Sequence, residues 1–381
     1  MPRDAKKGVK TARPHAAKSE RKSRIEVHPR REACTFGRVM GFLASEGAAI
    51  AAAMLVKTAL HLREGDRFVI ICDAESNGLA DVVRIEAESL GIQVTFARLD
   101  QLRSVSTNHS GERPHKVLPD LVRRAMLAAQ GSLFMASAPH QELSMREQLQ
   151  HIVGACKVRH AHMPGITARA FAAGMKTDCA NLETWGRAVE RKVELARTLE
   201  ATSPAGTDLH LAFAASNRWT PHLGAIAPGN LSILPAGALF AQPESADGVF
   251  VANASLSEFF GAREGLLTAK PVTFHIEGGR VVRVEAPAAA ELQRDLESMM
   301  AVAPNSNRVG LAMLGVNAEL TATGDAAVDE NVPGLHLVIG DMAGRIRTSA
   351  WSARTSFVAC ATGATVDVDG VVVIENGKLA G

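Results

Sequence analysis

The chain of 381 residues contains no tyrosine, and only 4% of its residues are aromatic. The absence of Tyr removes one common general acid from any active site. The small number of rings also argues against a surface on which nucleic-acid bases stack. The hydrophobic core must therefore be built mainly from aliphatic residues, Met and Phe.

Cysteine is scarce, and sequence motifs that would indicate a particular catalytic or binding site are missing. The five cysteines are scattered, with no CxxC or zinc-knuckle spacing: Cys34, Cys72, Cys156, Cys179 and Cys360. There is also no GxGxxG, no phosphate loop and no GxSxG elbow, so neither a nucleotide site nor a serine-hydrolase elbow is indicated. The longest apolar run near the N-terminus, residues 47–56, is too short to span a bilayer. We expect a cytoplasmic protein, since dispersed cysteines suit a reducing compartment.

Charge is distributed unevenly along the chain. Residues 1–32 contain eleven Lys or Arg and four Asp or Glu, a balance of +7, whereas the whole chain carries +2. The remainder is therefore close to −5. A basic run of this kind is either a solvated, disordered extension or a segment that contacts an acidic partner. We predict a disordered extension over residues 1–35.

The hydrophobic pattern predicts two domains. Short apolar strands such as 67–72 alternate with helices such as 48–62 over residues 36–175, which favours a doubly wound α/β domain. A long amphipathic helix, 177–199, is predicted inside a connecting segment 176–202. Residues 203–381 contain several strands with hairpin turns and one further helix, which indicates a mixed α+β domain. Asp73 follows the strand 67–72, where it is either a functional acid or a turn residue.

The segment 230–243, which reads NLSILPAGALFAQP, is the most informative motif of the chain. Together with Asp247-Gly248 it resembles the central signature of the aminopeptidase T family of metallopeptidases and of the related iron-dependent 2,5-dihydroxypyridine 5,6-dioxygenases. Further segments resemble that family in the same order: 52–72, 162–167, 206–209, 334–341 and 364–370. The resemblance implies the two-domain fold of the family, a cleft between the domains, and a metal held in part by a Glu of the central signature.

Carried over position by position, the resemblance shows substitutions at the metal ligands. The family's metal-binding Glu corresponds to Ala238, and its next acid corresponds to Leu311. One family His is retained as His336, but the closing His-x-Asp pair falls near residues 356–358, where neither residue type occurs. A divalent site needs three or more protein donors. We therefore expect the family metal site to be lost, with His336 as its one surviving ligand.

Four residues are candidates for contacting a ligand in the interdomain cleft that the resemblance implies: Arg218, Trp219, His222 and Asp341. Arg218 resembles a polar residue that faces the cleft in the family, and it either pairs with a carboxylate or stacks on Trp219. Asp341 lies five residues after His336 and is a possible member of a rebuilt metal site. The alternative for His336 is a strand histidine that a backbone partner satisfies.

The expected function is that of a degenerate aminopeptidase T-like protein without a cofactor. It would bind a peptide or small molecule as an accessory protein, in the specialised biosynthesis of peptide natural products. The alternative is an aminopeptidase or a non-haem iron ring-cleaving dioxygenase, with Fe or Zn relocated near His336. A third hypothesis is that the basic segment, residues 1–32, is the functional part of the chain. A partner protein of the same pathway and a homodimer are expected, whereas membrane and nucleic acid are not.

Overall fold

A computed structural model of the chain describes residues 46–102, 117–137, 139–342 and 351–381. The predicted basic extension, residues 1–35, lies outside the described residues and so stays a prediction. None of the helices that the structure describes is long and apolar enough to cross a bilayer. The described elements form three β-sheets with helices packed against them.

The first sheet is parallel. Its strands are Arg67–Cys72 (β1), Gln93–Arg98 (β2), Gly131–Phe134 (β3), Arg159–His162 (β4) and Leu231–Ile233 (β8). They lie in the order β2-β1-β3-β4-β8. In β1, the predicted strand 67–72, five of six residues are buried, as expected for a central strand that is covered on both faces.

Helices cover both faces of this sheet. They are Glu46–Met54 (α1), Asn77–Ser89 (α2), Asp120–Met126 (α3), Pro139–Cys156 (α4) and Ala168–Gly174 (α5). One apolar cluster joins α1 and α2 to one face, and another joins α3 and α4 to the opposite face. The predicted helix 48–62 is interrupted, because α1 passes into a π-helical turn at Leu55–Ala59. The N-terminal half is thus the doubly wound α/β domain that the sequence predicts.

The predicted helix 177–199 is too long. The helix Cys179–Val193 (α6) ends before a strand, Thr198–Thr202 (β5). Buried Leu199 and Ala201 alternate there with exposed neighbours, which is the two-residue period of a strand. The carboxylate of Asp369 fixes the start of this strand by accepting bonds from the main-chain N–H groups of Arg197 and Thr198. The proposed domain boundaries at 175 and 202 stay a prediction.

The remaining strands form two antiparallel sheets. In chain order they are Asp208–Ala212 (β6), Thr220–His222 (β7), Ala238–Ala241 (β9), Ser245–Ala252 (β10), Ser255–Leu256 (β11), Val272–Glu277 (β12), Arg280–Glu285 (β13), Val309–Gly315 (β14), Gly334–Gly340 (β15), Ser356–Cys360 (β16), Thr365–Val368 (β17), Val371–Glu375 (β18) and Lys378–Leu379 (β19). The second sheet has the order β13-β12-β10-β6-β5-β17-β18-β19, and the third has the order β11-β16-β15-β14-β9-β7.

The second and third sheets pack face to face. One apolar cluster contains residues of both, including Leu199, Phe250 and Phe274 from the second and Leu314 and Leu337 from the third. The helices Glu258–Glu264 (α7), Ala290–Ala301 (α8) and Ala326–Asp329 (α9) complete this half. It is the mixed α+β domain expected from the sequence. One face of the third sheet packs against the second sheet, so its opposite face is available for contact with the first sheet.

Asp73 at the end of β1 serves as a turn residue. Its Oδ1 accepts bonds from the main-chain N–H and the hydroxyl of Ser76, at 3.0 and 2.7 Å. Its Oδ2 accepts a bond of 2.6 Å from the main-chain N–H of Ser137, which lies beyond the neighbouring strand β3. The carboxylate thus ties two strand ends together and satisfies main-chain donors near the start of α2.

Candidate ligand-binding cleft

The positions that the resemblance assigns to metal ligands lie together on one face of the third sheet. Leu311 and Val358 both lie opposite Val338 in the strand pairing. His336 shares a strand with Val338 and is two residues away, so its side chain is on the same face. Ala238 lies opposite Gly315, which is four residues after Leu311 on β14 and so on the same face. Since opposite residues share a face, the fold brings these four positions together.

This face is filled by apolar side chains. Leu311 is fully buried and Val338 and Val358 nearly so. The cluster to which they belong consists of Phe240, Ala254, Leu311, Met313, Ala326, Val338, Met342, Val358 and Cys360. The side chains of this cluster offer a cation no oxygen donor, and His336 adds an imidazole on the same face.

His336 is fully buried, and both of its ring nitrogens contact the main chain. Nε2 lies 2.9 Å from the carbonyl oxygen of Val332, so Nε2 carries the proton and donates it. Nδ1 accepts a 3.3 Å bond from the N–H of Ala361. Burial lowers the pKa of His336 to about 4, which keeps the ring neutral at physiological pH. A metal at either nitrogen would have to displace one of these two bonds.

The acids close to His336 along the chain are also engaged. Asp329 is buried, and its carboxylate accepts bonds from the main-chain N–H groups of Thr323 and Gly324, at 2.6 and 3.0 Å. Burial raises the pKa of the Asp329 carboxyl. Asp341 accepts a 3.0 Å bond from the main-chain N–H of Ala353, so it braces the connection from β15 to β16.

These residues do not fit a divalent metal at the family position. At the positions that the resemblance assigns to metal ligands, Ala238 and Leu311 have no side-chain donor atom and residues 356–358 contain no His or Asp, while both ring nitrogens of His336 are engaged by main-chain bonds. Across the described part of the chain, no group of three His, Cys, Asp or Glu side chains is arranged to hold a metal ion.

Two cavities lie where the first and third sheets meet. The first, here called the cleft, has a volume of about 270 Å³. The loop 163–167 after β4 lines one side, and residues 356–358 of β16 line the other. Its polar groups include Asp325 and Glu330, and Asp325 accepts a 3.3 Å bond from the Thr167 hydroxyl. Open α/β sheets bind ligands at the carboxyl ends of their strands, and the cleft lies at such an end.

The second cavity, here called the groove, has a volume of about 730 Å³. It runs along β7, the loop 223–230 and β8, with α4 contributing Arg146 and Gln150. Arg146 and Ile233 line both the groove and the cleft, so the two cavities are adjacent. The volume of the groove falls in the range of about 300–1,000 Å³ that small-ligand sites occupy.

Among the predicted ligand contacts, His222 lines the groove. Its Nε2 lies 2.8 Å from the hydroxyl oxygen of Ser232. His222 belongs to the third sheet and Ser232 to the first, so this hydrogen bond joins the two sheets at the wall of the cavity. The imidazole also lies against Phe240, with 6.1 Å between ring centroids. Ser232 was not predicted as a site residue, although it lies inside the segment 230–243.

The structure places Arg218 and Trp219 elsewhere. Trp219 is buried between the second and third sheets, 5.3 Å from the ring of Phe213. Arg218 is exposed, and its guanidinium donates to the carbonyl oxygens of Asn217 and Ala215 in its own loop, at 2.6 and 3.3 Å. Neither residue lines the cleft or the groove within the described residues, and neither does Asp341.

A buried chain of polar side chains in the first sheet was also not predicted. The hydroxyl of Ser132 lies 2.7 Å from Nδ1 of His160, whose Nε2 lies 3.2 Å from Nδ1 of His162. Burial first, and the neighbouring His162 second, lower the pKa of His160 well below its usual value. The sequence signal is the HxH pattern of β4, since residues two apart on a strand share a face.

Comparisons with solved structures agree with this architecture. The 2,5-dihydroxypyridine dioxygenase from Pseudomonas putida KT2440 has a TM-score of 0.63 at 15% identity, over 88% of this chain and 97% of the other. AmpT from Thermus thermophilus has a TM-score of 0.59 at 16% identity, over 88% and 99% of the two chains. At such identities the likeness concerns the fold alone. It confirms the aminopeptidase T-like fold expected from the sequence.

No curated protein sequence matches the chain. The sequence model of NicX, the 2,5-dihydroxypyridine 5,6-dioxygenase family, matches residues 55–310. That match includes the segment 230–243, with the substituted position Ala238 on β9, and the predicted ligand contact Trp219. It covers well over half of the 381 residues, and the chain therefore belongs to the 2,5-dihydroxypyridine 5,6-dioxygenase family.

Proposed function

We propose that this chain is a family member that binds a peptide or small molecule without the family's metal. Its role would be that of an accessory protein, in the specialised biosynthesis of peptide natural products. The groove and the adjoining cleft would hold the ligand. Cofactor-free binding and a homodimer are parts of this proposal.

One observation carries the proposal. Metal-ligand positions that share one face of the third sheet are occupied by Ala238, Leu311 and Val358, and these residues belong to or adjoin a packed apolar cluster. A chain that had lost one ligand by chance would leave the other donors in place. The coordinated replacement of three supports a protein whose cavities are used for binding.

The proposal is tested by metal content and ligand binding together. The purified full-length protein is incubated with Fe(II), Zn(II), Co(II) or Mn(II), desalted and analysed for metal. We expect less than stoichiometric metal, the same in the native chain and in His336→Gln, and saturable binding of members of a hexapeptide library. Stoichiometric metal that is absent from His336→Gln, with turnover of 2,5-dihydroxypyridine or an amino-acid p-nitroanilide, would overturn the proposal.

The second candidate is a metal-dependent aminopeptidase or iron dioxygenase with a relocated site. It is favoured by the family match itself and by Glu330, an acid only 5% exposed that lines the cleft six residues before His336. The same metal measurement, repeated with Glu330→Gln, separates it from the first candidate. Exposed His210→Gln is the matched control, because His210 lies on the second sheet.

A further inference from the structure

We infer that the groove binds its ligand as an added β-strand, in which an extended peptide pairs with the open edge of β8. This inference rests on the proposed function and specifies the class of ligand, a peptide segment in extended conformation, and the main-chain atoms that hold it. Among the strands that the structure describes, β8 is the last of the first sheet, and its one partner there is β4.

The direction of the main-chain groups in β8 follows from its pairing. The N–H of His160 donates to the carbonyl of Asn230, and the N–H of Leu234 donates to the carbonyl of His162. Groups that point toward the partner strand alternate with groups that point away. Residues 230, 232 and 234 therefore face β4, whereas the N–H and C=O groups of Leu231 and Ile233 point to the open side.

The groove lies along that open side. Leu231 packs with the cluster on the α4 face of the sheet, whereas Ser232 pairs with Ala161, which belongs to the cluster on the other face. The side chains of the three residues of β8 thus alternate between faces, yet one cavity is lined by all three. A single cavity can touch both faces of one strand only by running past its edge.

The space beside the open edge of β8 has room for one added strand but not for a second sheet. An exposed strand edge is a template for pairing, and proteins usually blunt or cover it. Here the edge is recessed between α4 and β7. β7 is also an edge strand, but its Pro221 has no N–H to donate. A small molecule would leave most of this edge unpaired, whereas an extended peptide supplies matching N–H and C=O groups.

The same geometry predicts the side-chain preferences of the peptide. Side chains of an added strand alternate between the two faces of the sheet. One set would point toward Arg146 and Gln150 on α4, and the other toward His222 and Phe240. We therefore expect polar or acidic residues to alternate with apolar or aromatic ones in peptides that bind.

The test uses the full-length protein and the tightest binder selected from a hexapeptide library. Each backbone nitrogen of that peptide is methylated in turn, which removes one N–H at a time. We expect methylation at every second position to weaken binding about tenfold, because each such methyl group removes one hydrogen bond and disturbs the steric fit. The positions between are the matched controls and should change binding less than twofold. Peptide should also slow amide hydrogen exchange at Leu231 and Ile233.

Three results would overturn the inference. If a peptide binds but the methyl scan shows no alternation, or the exchange of Leu231 and Ile233 is unchanged, peptide binding stands and the strand-addition mode fails. If deletion of residues 1–35 strengthens peptide binding, the groove belongs to the chain's own N-terminal segment. If no hexapeptide binds saturably at millimolar concentration, the proposed function and this inference fail together.

Discussion

The substitution Leu311→Glu restores the acid that the family has at this position and tests whether the third sheet can still accommodate it. Leu311 is fully buried in an apolar cluster. Losing the burial of the leucine side chain costs about 2 kcal/mol. The described cluster around this position contains no cationic side chain, so the introduced carboxyl group should stay protonated, with a pKa raised well above 7 as documented for buried Glu.

The cost of that carboxyl depends on pH, because in the unfolded chain the group ionises with a pKa of about 4.3. Keeping it protonated costs roughly 4 kcal/mol at pH 7 and roughly 1 kcal/mol at pH 5. The total loss is then roughly 6 kcal/mol at pH 7 and roughly 3 kcal/mol at pH 5. Since the free energy of unfolding of ordinary domains is about 5–15 kcal/mol, the variant should lose a large part of its stability at neutral pH, from about two fifths to all of it.

Urea unfolding followed by circular dichroism at both pH values measures these losses. Leu311→Gln is the control for shape, since it has no ionisable group and should lose the same stability at pH 5 and pH 7. Added Zn(II) or Fe(II) should leave the Glu variant unchanged. Stability equal to that of the Gln variant at pH 7 would refute the reasoning. So would a metal-dependent gain of about 2.7 kcal/mol, which corresponds to a metal concentration 100-fold above its Kd.

Two further changes probe the packing of the same region. The folded state holds His336 neutral, with a pKa of about 4. Acidification from pH 6.5 to 4 should therefore reduce the free energy of unfolding of the native chain by roughly 3 kcal/mol more than that of His336→Gln. Parallel pH profiles of the two proteins in urea unfolding would contradict this. Gly315→Ala should lose about 3 kcal/mol, because its Cβ would come within 1.9 Å of the Val332 carbonyl oxygen. Gly154→Ala on helix α4 meets nothing within 4 Å and should gain about 0.5–1 kcal/mol; equal thermal shifts for both would contradict the difference.

Much of the fold could be predicted because its strands are strongly patterned. The continuous apolar run of β1 was found with the predicted bounds 67–72, and the alternating strands β12 and β13 form a hairpin of the kind predicted for residues 203–381. The predicted end of α6 was wrong, because the apolar residues Leu195, Ala196 and Leu199 have a spacing that suits either a helix or a strand. The partner strands β6 and β17 decide, because both pair with Leu199 and Ala201.

The candidate site was harder to predict, since it depends on which faces meet. Trp219 looked like a ligand contact beside Arg218, yet its ring fills the space between two sheets. His222 was named from the sequence, but its partner Ser232 belongs to a different sheet. A strand of three residues such as β8 has too little pattern to reveal its pairing. Pairings between residues far apart in the chain have no local signal.

The strand β8 also constrains how the protein is made. The edge of β4 is covered by residues 231–233, which follow it by about seventy positions in the chain. On the ribosome the first sheet cannot be completed until residue 233 has emerged, although its other four strands end by residue 162. Until then the fourth strand remains exposed during synthesis, and long-range parallel pairing of this kind is slow. A fragment that ends at residue 175 would keep that exposed strand permanently, so we expect it to aggregate where the full chain does not.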